Sequence, residues 1–104
     1  MWAQLLTMRI KPGKEDGLPE LLEQIRAREQ AGSGLIRTSA MRDQNDPSRV
    51  FVLVMFESEE KARERENDAE RQAAMATGRE MMADIFEGPP EFVDLTVVTE
   101  WSGL

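Results

Sequence analysis

Few kinds of side chain in this chain can do chemistry. Histidine, cysteine and tyrosine are all absent. That removes thiolate nucleophiles and disulfides, and it leaves Thr38 and Ser39 with no imidazole to activate them. General acid–base work then falls to carboxylates or lysine. Asp94 and Glu100 lie on one face of the last predicted strand, together with Phe92, Thr96 and Val98. Turned inward, such an acid needs a partner and can hold a raised pKa; at an open sheet edge it is simply solvated. Arg9 and Arg37 offer the paired donors that suit an anionic or enol-like ligand, or an ion pair across strands with Asp94. The acids Glu57, Glu59, Glu60, Glu64, Glu66, Asp68 and Glu70 alternate with Lys61, Arg63, Arg65 and Arg71. This is the pattern of a solvated helix laced by i,i+4 pairs, and no metal site is expected in it.

Seven methionines are the compositional oddity. Met8, Met41, Met55, Met75, Met81 and Met82 can line a deformable apolar cavity between sheet and helices, or serve as ordinary core. The candidate ligand pocket is Gln4, Leu6, Met8, Arg65, Ala73, Met75 and Met82. Trp2 and Trp101 would rim it or seal a seam between subunits. No catalytic residue is assigned, and no cofactor is expected.

The elements that must position these groups can be read from periodicity. Trp2 to Ile10 is a strand, with Trp2, Gln4, Leu6, Met8 and Ile10 on one face and Ala3, Leu5, Thr7 and Arg9 on the other. Lys11-Pro12-Gly13-Lys14 ends it. A helix follows, capped near Asp16 with Pro19 in its first turn, and Leu18, Leu21, Leu22 and Ile25 share its apolar face. Ala31-Gly32-Ser33-Gly34 breaks that helix. Strands at about 35–42 and 50–56 flank the turn-forming loop 43–48 as a hairpin. Ser58 caps the next helix, whose buried stripe is Ala62, Ala69, Ala73 and Ala76. Thr77 and Glu80 match a capping box that opens a short further helix, with Met81, Met82, Ile85 and Phe86 inward. Gly88-Pro89-Pro90 stops it, and Phe92 to Trp101 is the last strand.

The order β-α-β-β-α-β predicts an α+β, ferredoxin-like chain: one domain over 1–104, with a four-stranded antiparallel sheet and helices on one side. The 50–56 strand is apolar on both faces, with Val50, Val52, Val54 and Phe56 on one and Phe51, Leu53 and Met55 on the other. The chain's own helices can cover only one face, so a homodimer packed sheet to sheet is expected. A formal charge of −7 argues against nucleic acid or an anionic membrane as partner. The first residues resemble neither a signal peptide nor a membrane span, and a cytoplasmic location is expected.

The segments Ile10-Lys11-Pro12-Gly13-Lys14 and Arg42-Asp43 through Glu57-Ser58-Glu59-Glu60, with Gly34 before strand two, resemble the antibiotic biosynthesis monooxygenase-like group of the dimeric α+β barrel superfamily. The resemblance implies that fold over nearly the whole chain. In haem-degrading members an asparagine, a tryptophan and a histidine carry the activity; the matching positions here fall at Leu6 and near Arg65 and Met75, so none is carried over. The expected function is a small-molecule-binding or accessory protein that holds an apolar or aromatic compound between helix two and the sheet. The alternatives are a cofactor-independent monooxygenase acting on an aromatic or quinol-like substrate, and an interaction module that uses the barrel only to dimerise.

Overall fold

In a computed structural model that describes residues 1–103, alternating apolar residues build four strands: β1 (Trp2–Arg9), β2 (Leu35–Arg42), β3 (Arg49–Phe56) and β4 (Glu91–Thr96). They form one antiparallel sheet in the order β2-β3-β1-β4. Four α-helices accompany it: α1 (Leu18–Ala27), α2 (Glu59–Glu66), α3 (Ala69–Ala74) and α4 (Ala76–Ile85). This is the ferredoxin-like arrangement expected from the order of elements. In the central ladder Trp2 sits beside Phe56, Leu6 beside Val52 and Met8 beside Val50.

The helices lie against one face of the sheet. Met8, Ile10, Val50 and Val52 meet Leu18 and Leu21 of α1 and Ile85 at the end of α4. A smaller cluster joins Trp2 and Phe56 to Ala62 of α2, the two aromatic rings tilted with centroids 6.0 Å apart. The opposite face carries Leu5, Leu53 and Val93 in one cross-strand row and Ala3, Met55 and Leu95 in the next.

Local chemistry explains most element ends. Gly13, at φ 83°, turns the chain after β1, and the Lys14 amide donates back to the Lys11 carbonyl. The Asp43 carboxylate accepts from the Asn45 amide, and the Arg49 amide donates to the Asp46 carbonyl, which closes the hairpin loop. The Ser58 hydroxyl caps α2 by accepting from the Lys61 amide at 3.1 Å.

Four expectations need correction. Helix α1 starts from Gly17 without a side-chain cap, because Glu15–Gly17 forms a 3₁₀ turn where Asp16 was expected to cap. The second helical region breaks twice: at Asn67, where the Asp68 carboxylate caps α3 by accepting from the Glu70 amide, and at Met75. Thr77 therefore lies inside α4 and caps nothing. The first break also undoes the alanine stripe, since only Ala62 is buried while Ala69, Ala73 and Ala76 are exposed. Finally, β4 ends at Thr96; Val97 to Trp101 are not strand, because β1, its one neighbour among the described residues, begins at Trp2 opposite Thr96.

Gly34 is the most closely packed glycine. Its φ is 83°, its carbonyl accepts from the Glu57 amide, and a Cβ there would lie 2.6 Å from Cβ of Lys61. Gly32 shares the left-handed conformation but has nothing within 4 Å of such a Cβ. Denaturant unfolding of the two alanine variants separates the two effects. Gly32→Ala is expected to lose about 1 kcal/mol from backbone strain alone, and Gly34→Ala at least about 2 kcal/mol, because α2 must also shift.

Candidate functional site

Two polar clusters and one apolar groove occupy the helix side of the molecule. The first cluster stands over the β1–β4 pair. Register puts Gln4 beside Asp94, and the Gln4 side-chain amide donates to the Asp94 carboxylate at 3.0 Å. Arg63 reaches down from α2 and donates to the other Asp94 oxygen at 2.9 Å. Its guanidinium also lies 5.1 Å from the centroid of the Trp2 ring and pairs with Glu59 and Glu66 along its own helix. The hydrogen bonds from Gln4 and Arg63 hold the Asp94 carboxyl below its usual range. Asp94 is thus an ionised hydrogen-bond acceptor, a solvated acid at the sheet edge, and not an acid with a raised pKa. Glu100 lies beyond the end of β4 and is exposed.

The second cluster joins the end of α1 to α2. Arg65 grips Glu29 with Nε at 3.1 Å from both carboxylate oxygens and with Nη2 on one of them, and its guanidinium lies 5.3 Å from the Phe56 ring centroid. Burial works to raise the Glu29 pKa, but hydrogen bonds from Arg65 and Ser33 and the fields of Arg65 and Arg71 outweigh it and keep the pKa below 4.5. Burial and the nearby Arg65 charge lower the pKa of Arg71, beside the same polar hollow of about 170 Å³.

The groove runs between α4 and the start of β4. It is a wide, open groove of about 600 Å³, lined by Met82, Phe86, Pro89, Pro90 and Phe92, with Lys11 and Arg79 among its walls. Phe92 is 56% exposed although it sits on the helix-facing side, beside Leu6.

The seven expected pocket residues are not gathered into one cavity. Gln4 and Leu6 lie along the β1–β4 strip beside Asp94 and Phe92, and Met82 lines the groove. Met8 is buried in the main core, and Met75 is buried at the α3–α4 joint. Ala73 faces solvent, and Arg65 is committed to Glu29. The methionines divide by face as well: Met41 and Met55 pair with Phe51 and Ala3 on the side away from the helices. Trp2 is buried under Arg63, while Trp101 is 81% exposed beyond β4. Arg9 turns to Asp46 at 2.9 Å and to the Ser48 hydroxyl instead of to Asp94, because it projects from the other face of β1. Arg37 is an exposed residue of the far edge strand, separated from β4 by β3 and β1. Arg63, Lys11 and Arg79 join these sites without a local signal in the sequence. The i,i+4 spacing of Glu59 and Arg63 showed a helix pair, and no local pattern showed that Arg63 also reaches β4.

The Arg65–Glu29 pair should be visible in acid unfolding. The folded-state pKa of Glu29 lies below the unfolded one, so its contribution is complete above about pH 4.5 and is lost as pH falls through the lowered folded value. Glu29→Gln is expected to flatten that part of the stability–pH curve. Arg65→Ala is expected to cost on the order of 1–2 kcal/mol at neutral pH in urea unfolding.

Comparison with known proteins fits this geometry. The family model described as antibiotic biosynthesis monooxygenase matches residues 1–77. Among solved structures, a MhuD variant with two manganese protoporphyrin IX bound per active site superposes with a TM-score of 0.80 at 18% identity, covering 99% of this chain and 100% of the other. A protein of Nitrosomonas europaea described as an antibiotic biosynthesis monooxygenase gives 0.77 at 17% identity, covering 95% and 100%. One from Chloroflexus aurantiacus, described in the same way, gives 0.70 at 20% identity, covering 97% and 96%. A sequence comparison with curated proteins returns no match. At these identities the structures speak for the fold, while the family model spans about three quarters of the sequence; the chain belongs to the antibiotic biosynthesis monooxygenase family.

Proposed function

We propose that this protein binds a small apolar or aromatic molecule in the α4–β4 groove and works as a sheet-to-sheet homodimer, without redox chemistry of its own. The observation that carries the reading is the groove itself. Its volume suits a drug-sized molecule, its lining is mostly apolar, and Phe92 stands exposed beside it on the inner face of an edge strand. By the family resemblance, the asparagine, tryptophan and histidine positions of haem-degrading members fall at Leu6 and near Arg65 and Met75. A buried methionine and an arginine already clamped by Glu29 are poorly placed to take over.

The dimer is supported by the uncovered face. Leu5, Leu53 and Val93 form a continuous apolar row across three strands, and Met41, Val93 and Leu95 are more than a third exposed. A second copy of the same surface would cover this stripe, at roughly 1.5–3 kcal/mol for each large side chain fully removed from water.

Asp94 favours a second reading, a cofactor-independent monooxygenase in which the substrate itself activates oxygen. Asp94 would be the base nearest Phe92 on that side of β4. Its lowered pKa counts against this role, because a weakly basic carboxylate can take a proton only from an acidic substrate.

Thermal shift against quinols and aromatic polyketides is expected to raise the melting temperature. Phe92→Ala should abolish the shift, and oxygen uptake should stay at background; uptake that disappears in Asp94→Asn would establish the second reading instead. Haemin is expected to give no specific Soret shift. Sedimentation should show a dimer at micromolar concentration that Leu53→Lys converts to a folded monomer by circular dichroism; a wild-type monomer overturns the assembly.

A further inference from the structure

We infer that the α4–β4 groove selects molecules whose apolar body ends in a carboxylate or similar compact oxyanion, and that Lys11 and Arg79 receive that charge. The inference rests on the reading of the groove as a small-molecule site and specifies its ligand class.

Charge is distributed unevenly around the groove. Acidic residues outnumber basic ones in this chain by 20 to 13, yet both charged residues lining the groove are cations. The remaining walls are aromatic, methionine, proline, alanine and glycine, so an anion entering there meets no carboxylate in the lining. Asp84, on the same helix, is drawn away by Lys14 at 3.3 Å.

Both cations are also held in place. The Lys11 ammonium donates to the Ala83 carbonyl at 2.9 Å, near the C-terminal end of α4, where carbonyls lack helical partners. Arg79 donates through Nη2 to the Gln72 carbonyl at 2.7 Å. Each spends one donor on the backbone and keeps its others for a ligand. Anchoring reduces the side-chain entropy lost on binding, and guanidinium presents paired donors that match a carboxylate. Phe92 projects to the helix side, so a copy docked on the opposite sheet face leaves the groove open.

A matched pair of probes tests this: 2-naphthoate and 2-naphthamide, which share the ring and differ in charge, titrated calorimetrically at low ionic strength. Naphthoate is expected to bind about three- to tenfold more tightly. That advantage should vanish in Lys11→Gln/Arg79→Gln while naphthamide affinity is kept, and it should shrink in Arg79→Glu, an exposed helix position, should the double variant fail to fold. Equal affinities in the wild type, or an advantage that survives these substitutions, would overturn the charge selection and leave the groove as an apolar site. Binding of neither probe would overturn the groove reading itself.

Discussion

The ladder between β1 and β3 is the constraint from which the rest of the molecule follows. These two strands fill the middle of the sheet, and their side chains are mostly apolar on both faces. A central strand pair must bury what it carries, but a β-α-β-β-α-β chain with right-handed crossovers brings its helices to one side only. On that side Met8, Ile10, Val50 and Val52 find α1 and α4, and Trp2 and Phe56 find α2. On the other side Leu5 and Leu53 remain without a layer above them. Assembly is thus posed by the sheet itself.

Over the helix side the burial is uneven. Helix α2 contributes only Ala62 to the core, so little apolar area holds it down. Arginines compensate. Arg63 ties α2 to β4 through Asp94 and covers Trp2, while Arg65 ties it to the end of α1 through Glu29 and covers Phe56. Long side chains that lay an apolar stem on a ring and place the charge on a carboxylate replace packing that alanine cannot provide.

Much of the fold was legible before the structure. Period-two alternation gave β1, β2 and β3 almost to the residue, and Ser58 and Gly13 acted as their chemistry suggests. The misses share a cause. The alanine stripe assumes one helix from Ala62 to Ala76, but Asp68 competes for the backbone and opens a new helix that turns the stripe away from the sheet; the break expected at Thr77 falls instead at Met75, which leaves Thr77 inside α4. The candidate site was less legible. Gln4, Leu6 and Met82 do border the strip and groove, whereas Ala73 follows from a helical phase that the two breaks reset, and Met75, a position given by the family resemblance, is buried at the α3–α4 joint.

By itself the sequence determined the element order, the two-faced character of the central strands and the absence of histidine and cysteine chemistry, because each of these depends on residue type and short-range period alone. Only the tertiary structure decided that Arg63 meets Asp94, that Arg65 meets Glu29 and that Lys11 joins Arg79 around one groove. Those partners stand 31, 36 and 68 residues apart, and such meetings depend on how the helices are turned and seated on the sheet. That seating is set by the core residues beneath them, and no local pattern around a surface arginine encodes it.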